Sequence, residues 1–364
     1  MTWSPDGMPL YALVMAGGAG TRFWPLSRRS RPKQMLPFAQ GRSLLASTVE
    51  RLAPLVPLER TLVATSLEMA DAVRAELPQL PVRNLLAEPT GRDTAACVGW
   101  AAWRMARSNP KAVMVVVPAD HLIPDGSALR TALAGAAATA AARGGLVTLA
   151  LRPTHAETGY GYLELGEVMG AAAGRPVQVV KRFVEKPSRA LAEEFVAAGN
   201  YCWNSGMFAW TVEAIRGAIR EHLPELAAGL DELMAAADEL GEEEAVRQRY
   251  ASLPRVSVDF GVMEKAKPVW AVGVDFAWSD VGSWAGLAEA LPSQDAGVTM
   301  GDVVALDTSG SVLVSEGPLV AVVGVHDLVV VATPDAVLVV PKDQAQRVKE
   351  LVERLREGGR DELL

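Results

Sequence analysis

A glycine-rich stretch after the first apolar segment is the part of this 364-residue sequence best suited to chemistry. It reads Ala16-Gly17-Gly18-Ala19-Gly20-Thr21-Arg22 and is followed by Pro32-Lys33-Gln34. Such a turn leaves backbone N–H groups open to an anion, and Arg22 and Lys33 add two positive charges. It lacks the Gly-Lys-Ser/Thr ending of a Walker A loop, and Phe23 stands where a dinucleotide fingerprint needs its third glycine. The stretch therefore predicts a phosphate-binding loop of another kind rather than a simple tight turn.

Asp120 is placed to hold a cation. It closely follows the apolar run Val113–Val117, so we expect it at the carboxyl edge of a parallel sheet, where α/β proteins bind ligands. A carboxylate there is costly without a cation, and Mg²⁺ favours one or two carboxylates together with phosphate oxygens. Asp280 in Trp278–Trp284 is a second carboxylate far along the chain. A helix cap or turn at Asp120, and an Asp-type turn before Gly282, are the ordinary structural alternatives.

Four further segments carry polar side chains or glycines that could form a binding site. In Glu185-Lys186-Pro187, the carboxylate suits vicinal hydroxyls and the lysine suits a phosphate, although a surface salt bridge is the alternative. Gly159-Tyr160-Gly161-Tyr162 and Asn204-Ser205-Gly206 are typical of sugar-pocket walls, or else of ordinary turns. The segment Glu88–Thr94 opens a helix, where capping alone explains Asp93 or Thr94 equally well.

The elements that must position these residues alternate along the first 150 residues. Short apolar runs predict strands at Leu10–Met15, Arg60–Ala64, Arg83–Leu86, Ala112–Val117 and Leu146–Ala150. Helices are predicted between them at Ser43–Leu52, Leu67–Leu77, Asp93–Ser108 and Ser127–Arg143. This alternation indicates βαβ units and therefore an α/β, Rossmann-like layered domain with a mostly parallel central sheet.

The same layered domain continues from Thr158 to Trp284 in a less regular pattern. Extended segments are predicted at Tyr160–Leu165, Val177–Phe183, Trp203–Thr211 and Val269–Val274, and helices at Ser188–Ala198, Val212–His222 and one long run from Pro224 to Tyr250. After Pro292 five Val-rich strands predict a small β-rich domain, coiled or β-helix-like, closed by a helix at Lys342–Arg356. We predict two domains, residues 1–290 and 291–364.

Charge and composition exclude several classes of partner. The 35 Lys and Arg against 43 Asp and Glu give a net charge of −8, and no basic block points to nucleic acid or an anionic membrane. No apolar segment reaches the ~20 residues needed to span a bilayer, and the N-terminus lacks a secretory signal. Two cysteines, Cys97 and Cys202, are too few for a disulfide scaffold. We expect a cytoplasmic protein.

Seven motifs, in order, resemble the sugar-phosphate nucleotidyltransferases, and within them the mannose-1-phosphate guanylyltransferase (GDP-mannose pyrophosphorylase) family. They are Gly17–Ser27 with Pro32–Gln34, Glu88–Ala95, Pro118–His121, Thr158–Tyr162, Phe183–Pro187, Trp203–Phe208 and Trp278–Trp284. Together they cover roughly residues 10 to 345. Longer members of the family append an isomerase domain, which we do not expect here.

The resemblance implies a role for each motif. Asp120 and Asp280 would hold Mg²⁺, and the catalytic cations would be Arg22 and Lys33 on the departing pyrophosphate and Lys186 on the sugar phosphate. The sugar would meet Gly159, Tyr160, Gly161, Glu185 and Asn204. The nucleotide would meet Ala16, Gly17, Gly18, Gly20, Thr21, Glu88, Pro89, Gly91, Arg92, Asp93 and Thr94. In this assignment Glu88 accepts from guanine N1–H and N2–H, and Arg92 faces O6.

The implied activity transfers GMP from GTP to α-D-mannose 1-phosphate and gives GDP-mannose and pyrophosphate. One alternative is another pair of triphosphate and sugar 1-phosphate, such as UTP or dTTP with glucose 1-phosphate. The other is a non-catalytic nucleotide-sugar sensor. Such a protein could lose its metal ligands and catalytic cations, whereas this sequence keeps all five: Arg22, Lys33, Asp120, Lys186 and Asp280. The Val-rich strands after residue 300 could pack on the first domain or on another subunit, and we expect a homodimer.

Overall fold

The computed structural model describes residues 4–5, 7–18, 20–39, 41–293 and 295–364, so Ala19 of the glycine-rich stretch lies outside the described residues. Two compact units are present, each built from segments that are separate in sequence. The first comprises Met1–Gly17, Val49–Pro118 and Asp125–Phe276. The second comprises Gly18–Thr48, Ala119–Pro124 and Ala277–Leu364. The predicted domain division at residue 290 stays a prediction.

A mixed sheet forms the centre of the first unit. Its described strands are β1 (Leu10–Met15), β2 (Thr61–Ser66), β3 (Leu85–Glu88), β4 (Val113–Pro118), β5 (Leu146–Leu151), β6 (Tyr162–Ala172), β7 (Arg175–Val184), β8 (Tyr201–Thr211) and β9 (Val269–Val274). Their spatial order is β3-β2-β1-β4-β8-β5-β9-β7-β6. Seven of these strands share one direction, and β7 and β8 run antiparallel to them. The predicted mostly parallel α/β sheet is confirmed.

Helices pack with this sheet and share the first unit's core with its strands. They are α2 (Ala70–Glu76), α3 (Asp93–Ser108), α4 (Gly126–Arg143), α5 (Arg189–Ala198), α6 (Val212–His222), α7 (Pro224–Leu240) and α8 (Glu242–Arg249), and α1 (Leu44–Leu52) begins in the second unit and ends in the first. The strands β4 and β5 are almost entirely buried, as expected for sheets covered on both faces. The single helix predicted from Pro224 to Tyr250 is in fact two, because α7 ends at Gly241.

Short helical turns complete the element list. They lie at Thr21–Phe23, Lys33–Met35, Leu58–Arg60, Leu67–Met69, Val82–Asn84, Tyr250–Ser252, Lys342–Arg347 and Asp361–Leu363, with one π-helical turn at Asp259–Met263. The predicted helix Leu67–Leu77 is therefore a 3₁₀ turn followed by α2. The predicted terminal helix is likewise a 3₁₀ turn followed by α10 (Val348–Glu357). No helix among the described residues is long and apolar enough to cross a membrane.

The second unit contains a coil of short strands. They are β10 (Gly297–Met300), β11 (Val303–Leu306), β12 (Ser311–Ser315), β13 (Val320–Val323), β14 (Leu328–Ala332) and β15 (Val337–Pro341). β10, β12 and β14 pair in parallel, β15 pairs antiparallel to β14, and β11 pairs in parallel with β13. Parallel pairing between strands joined by short connections is the pattern of a coil, so the predicted β-helix-like part is confirmed. The sequence did not predict β10 or α9 (Trp284–Ala290).

The core of the second unit joins its three segments. Phe23 and Phe38 from the first segment lie 5.1 Å apart, ring centroid to centroid, and Phe23 lies 5.0 Å from Trp284 of the third. The same cluster includes Leu122 and buried valines of the coil, among them Val312 and Val331. The residues that follow the glycine-rich stretch are thus held by the packing of the C-terminal strands.

Candidate active site

An ion pair between Lys33 and Asp120 is the centre of the charged cluster in the second unit. Lys33 Nζ lies 2.7 Å from Asp120 Oδ2 and donates to the backbone carbonyl of Asp280 at 2.5 Å. Lys33 is only 7% exposed, whereas the Asp120 side chain is 30% exposed. Burial alone would raise the pKa of Asp120, but the charges of Lys33 and His121 hold that pKa below its ordinary value. The carboxylate is therefore ionised at neutral pH.

A short backbone bridge explains why Asp120 and Asp280 approach each other. Leu122 N–H donates to the carbonyl of Ser279 at 2.9 Å, and Ser279 N–H donates back to Leu122 at 3.1 Å. The neighbouring side chains add to this link, since Trp278 Nε1–H donates to His121 Nδ1 at 3.1 Å. The bridge thus joins the segments that carry the two predicted metal ligands.

Gly20 allows Lys33 to reach this cluster. A Cβ atom on Gly20 would lie 2.3 Å from Lys33 Cβ, and the glycine has a φ of +59°. Arg22 follows in the 3₁₀ turn Thr21–Phe23, and its Nη1 donates to the carbonyl of Gly282 at 3.4 Å. Arg22 is exposed. The two predicted phosphate-binding cations therefore both contact the segment Asp280–Gly282.

The carboxylates of this cluster fit a magnesium ion that is shared with a ligand. Within the described residues there is no group of three or more Cys, His, Asp and Glu side chains that could hold a metal. Mg²⁺ needs only one or two carboxylates when water and phosphate oxygens complete its shell. Asp120 and Asp280 supply that number, and Asp280 Oδ1 also accepts from Gly282 N–H at 3.1 Å.

The start of the glycine-rich stretch is anchored to β2. Ala16 N–H donates to the carbonyl of Ala64 at 2.7 Å, and Thr65 Oγ1 donates to the carbonyl of Ala16 at 3.1 Å. Gly17 and Gly18 are exposed, and apart from chain neighbours no atom of the described residues lies within 4 Å of where a Cβ would be on either residue. Their backbone is therefore open to an incoming group.

In the first unit, Glu88 ends β3 and meets a residue that the sequence analysis did not single out. The Tyr250 hydroxyl donates to Glu88 Oε1 at 2.5 Å. Burial raises the pKa of Glu88 to about 7, although the Tyr250 hydrogen bond opposes that rise. Tyr250 is itself buried, and its ring packs 5.4 Å from that of Trp100. Glu88 is therefore a carboxyl group that titrates near neutral pH.

The segment after Glu88 is fixed by contacts with residues 251–258. Arg92 Nη2 donates to the carbonyl of Ala251, and Thr94 Oγ1 accepts from Val258 N–H at 2.8 Å. Asp93 has a φ of +63°, and its Oδ1 accepts from Thr94 N–H at 3.0 Å. Arg92 is the N-cap of α3 and makes no side-chain capping bond. The predicted nucleotide residues Pro89 and Gly91 lie between Glu88 and Arg92, in the connection from β3 to α3.

The predicted sugar-binding residues lie together in the first unit. Lys186 N–H donates to the carbonyl of Tyr160 at 3.2 Å, and Asn204 N–H donates to that of Gly161 at 2.8 Å. Gly159 N–H donates to Glu157 Oε1 at 2.8 Å. Lys186 Nζ lies 3.3 Å from Glu185 Oε1. Backbone hydrogen bonds thus join the three segments that the sequence analysis treated separately.

Glu185 is the most buried charged group of this set. Its side chain is 9% exposed, and burial together with the charge of Asp259 raises its pKa to about 7, against the opposing charge of Lys186. Lys186 is largely exposed and has a φ of +48°, which is uncommon for a residue other than glycine. Strain of that kind is often found where a side chain must point at a ligand.

Sequence reasoning missed Tyr250, Asp259 and Glu264. Asp259 accepts from Asn204 Nδ2 at 2.9 Å, and Glu264 Oε1 accepts from Glu185 N–H at 2.9 Å. One signal was available, because Asp259 interrupts the largely apolar run Val256–Met263, where a carboxylate needs a partner. The sequence held no comparable sign for Tyr250.

Comparisons with known proteins identify the family of this chain. The sequence model described as "Nucleotidyl transferase" matches residues 11–296. The chain belongs to the nucleotidyl transferase family. A second model, described as "MannoseP isomerase/GMP-like beta-helix domain", matches residues 301–355 of this nucleotidyltransferase.

Several relatives match this nucleotidyltransferase over nearly its whole length. It is 39% identical to the xanthan biosynthesis protein XanB of Xanthomonas campestris over 96% of its own length and 74% of the relative's. It is 38% identical to a mannose-1-phosphate guanylyltransferase of Escherichia coli, over 97% and 75% of the two chains. A crystal structure described as mannose-1-phosphate geranyltransferase from Thermus thermophilus is 45% identical, with a TM-score of 0.86 over 96% of this chain and 100% of that one.

Proposed function

We propose that this nucleotidyltransferase transfers GMP from GTP to α-D-mannose 1-phosphate and releases GDP-mannose and pyrophosphate. Relatives named mannose-1-phosphate guanylyltransferase support the choice of substrates. The observation that carries the proposal is the cluster of Lys33, Asp120 and Asp280, in which one ammonium contacts both acidic segments. Such a cluster suits a polyphosphate and a divalent ion.

The proposed reaction is an in-line displacement. A phosphate oxygen of mannose 1-phosphate forms a bond to the α-phosphorus of GTP, while the bond from that phosphorus to the α–β bridging oxygen breaks. Pyrophosphate leaves with the electron pair. The sugar phosphate is already ionised, so no general base is required, and the work of the protein is alignment and neutralisation of charge.

Charge repulsion is the main obstacle to this reaction. Two unit charges ~4 Å apart repel by ~4 kcal/mol at an effective dielectric near 20, and each substrate carries more than one. In the proposal Arg22 and Lys33 bind the departing pyrophosphate, and Lys186 binds the phosphate of the sugar. Backbone N–H groups of Gly17, Gly18 and Gly20 take phosphate oxygens, as they can in glycine-rich turns.

We also propose that Asp120 and Asp280 hold Mg²⁺. A bound Mg²⁺ would neutralise phosphate charge and help to orient the triphosphate. The low pKa of Asp120 keeps its carboxylate ionised and ready for the ion. For the rest of the substrates, we assign Glu88 and Arg92 to the guanine, and Glu185 and Asn204 to the sugar hydroxyls.

A substrate panel tests the proposed function. The protein is incubated with Mg²⁺, one of GTP, ATP, UTP or dTTP, and mannose or glucose 1-phosphate, and pyrophosphate release is measured. We expect the highest kcat/KM for GTP with mannose 1-phosphate. A higher value for another pair would replace the assigned substrates, and no release with any pair would favour a non-catalytic sensor.

The location of the enzyme and its state of assembly are two further proposals. A reducing environment suits the two free cysteines, Cys97 and Cys202, and GTP as a substrate suits the same location. We therefore propose a cytoplasmic enzyme. We further propose a homodimer. Light scattering of the purified protein over a range of concentrations measures the assembly directly, and a monomer throughout would reject it.

A further inference from the structure

The Asn204 amide has a defined orientation set by the residues around it. Its Oδ1 accepts from Thr148 Oγ1–H at 2.9 Å and from Gly206 N–H at 3.3 Å. Its Nδ2 donates to Asp259 Oδ1 at 2.9 Å. Because the oxygen already has two donors, this amide can offer a ligand only its second N–H. Asn204 is therefore a donor, although an isolated asparagine could equally accept.

Glu185 has the opposite character. Its Oε1 pairs with Lys186 Nζ, but its buried Oε2 has no hydrogen-bond partner among the described residues. A Cβ on Gly161 would lie 2.4 Å from that oxygen, so only glycine leaves this space open. A buried carboxylate oxygen without a donor is costly, which indicates that a ligand supplies one.

Asp259 is linked to both groups. It is the first residue of the π-helical turn Asp259–Met263, an element often found at functional sites. It accepts from Asn204 directly, and its charge acts on Glu185. Asp259 is thus placed to control the donor and the acceptor of the same pocket.

We propose that Asp259 is a positioning residue for the sugar: it fixes Asn204 as a hydrogen-bond donor beside Glu185 as an acceptor, and so selects a ligand with two neighbouring hydroxyls. This inference rests on the proposed function, because it assumes that Glu185 and Asn204 face the sugar. One hydroxyl oxygen accepts from Asn204 Nδ2–H, and one hydroxyl hydrogen is donated to Glu185 Oε2. A neighbouring pair of hydroxyls satisfies both groups at once.

The charge of Asp259 gives the pocket a pH dependence. Burial raises the pKa of Glu185, the charges of Asp259 and Glu264 add to that rise, and Lys186 opposes it. Burial likewise raises the pKa of Asp259, against the hydrogen bond from Asn204 and the charge of Lys186, while Asp93 adds to the rise. An ionised Glu185 is required to accept from a hydroxyl at Oε2 without competition from its own proton. Sugar binding therefore weakens as the pH falls through about 7.

Two substitutions separate the hydrogen bond of Asp259 from its charge. Asp259→Ala removes the acceptor for Asn204, and we expect the KM for mannose 1-phosphate to rise about 10- to 100-fold while that for GTP changes less than about 2-fold. Asp259→Asn can still accept from Asn204, and we expect the KM at about pH 8 to stay within about 3-fold of the wild type. The pH at which this variant loses half of its sugar binding should lie below that of the wild type, because the charge that raises the pKa of Glu185 is gone.

Asp275→Ala and Asp275→Asn are the matched controls, since Asp275 is exposed and pairs only with Arg175 among the described residues. Calorimetric titration with mannose 1-phosphate gives the affinity apart from turnover. The same titration with 2-deoxy and 3-deoxy analogues identifies the hydroxyl, because the Asp259→Ala penalty should shrink for the analogue that lacks it.

The outcomes distinguish this inference from the proposed function. Wild-type protein that turns over another sugar 1-phosphate rejects the proposed substrates, and the Asp259 variants are then titrated with that sugar phosphate. If the wild type binds a sugar phosphate but Asp259→Ala binds it equally well, Asp259 does not position it. Two further results would overturn the inference. One is an Asp259→Ala variant whose affinity for GTP falls as much as its affinity for the sugar phosphate. The other is an Asp259→Asn variant that is as defective at about pH 8 as Asp259→Ala.

Discussion

Lys33 Nζ lies 2.7 Å from Asp120 Oδ2, in a cluster where the same ammonium also contacts the backbone of Asp280. One buried cation therefore links residues that are far apart in sequence. We assign this cation to the pyrophosphate, and the two aspartates that it contacts to the metal ion. Replacing Lys33 would take away the ammonium group that pairs with the Asp120 carboxylate. We expect Lys33→Met to lose both turnover and thermal stability, since breaking such a pair exposes the cost of the remaining charge.

Arg22 gives a cleaner test of the same cluster. It is exposed and its hydrogen bond to Gly282 is long, at 3.4 Å, so Arg22→Met should leave the Tm within about 2 °C. Turnover should fall by about 100-fold or more, as when one stabilising donor is removed from a transition state. Arg347→Met, an exposed arginine of the same unit, is the matched control. A large drop in Tm with a proportionate loss of rate would contradict the assignment.

Metal dependence tests Asp120 and Asp280. EDTA should abolish pyrophosphate release, and added Mg²⁺ should restore it. Asp280→Asn removes one charge from the pair, and we expect the Mg²⁺ concentration for half-maximal rate to rise about 10-fold or more. Electron paramagnetic resonance of Mn²⁺ with GTP present gives the affinity independently of turnover. Asp302→Asn, at an exposed position of the same unit, should behave like the wild type.

Tyr250→Phe tests the group that contacts Glu88. Because the Tyr250 hydroxyl lowers the pKa of Glu88, its removal should move that pKa above about 7 and protonate more Glu88 near neutral pH. The KM for GTP should then rise, and its pH midpoint should move upward. Tyr201→Phe is the matched control, since Tyr201 donates instead to Glu164. An unchanged midpoint would exclude Glu88 as the group that titrates with GTP binding.

The raised pKa of Glu88 also affects stability. The folded state holds this proton up to about pH 7, whereas the unfolded chain releases it near 4.5, so stability is lost as the pH rises from 4.5 through 7. Glu88→Gln removes that loss, and at about pH 8 it should stabilise the protein by about 3 kcal/mol relative to its effect at about pH 4. Urea unfolding at both pH values measures this difference. A Gln variant that gains nothing at the higher pH would contradict the raised pKa.

Sequence reasoning succeeded where one segment carries its own signal. The strand Leu10–Met15 and the helix Asp93–Ser108 have the predicted bounds, because hydrophobic periodicity within each segment determines them. The contact of Lys33 with Asp120 was not predicted, because the sequence analysis assigned Lys33 to the pyrophosphate and Asp120 to the metal; it depends on a glycine at position 20. Spacing within a segment thus predicts elements well and contacts between distant segments poorly.

The contacts of Tyr250 and Asp259 show why the rest was out of reach. Tyr250 lies 162 residues from Glu88 and begins the short turn that follows α8, so no local pattern links the two residues. Asp259 begins a π-helical turn and meets Asn204, which lies 55 residues away in β8. Local propensity determines neither contact, and the residues around Asp259 indicate only that it needs a partner, not which one.

A shortened chain tests the packing of the second unit. A protein that stops at residue 290 would lack Val312, Val314, Val329 and Val331, which pack in one cluster with Phe23 and Trp24. We expect it to bind a hydrophobic dye and to aggregate, because that apolar surface would face water. Removing only Asp361–Leu364 is the control, since it deletes the hydrogen bond from Trp24 to Leu363, two exposed ion pairs and, from the cluster, only the partly buried Leu364. A soluble, folded 1–290 fragment would support two independent domains.

That cluster has a consequence for how such chains are recombined. The boundary that the two family models draw near residue 300 separates Phe23 and Trp284 from the valines that cover them. A chimera spliced there would bring together halves of two hydrophobic cores that had not been selected to fit each other. Interchangeable parts in this protein are therefore sets of three separate segments, and a single crossover cannot transfer one intact.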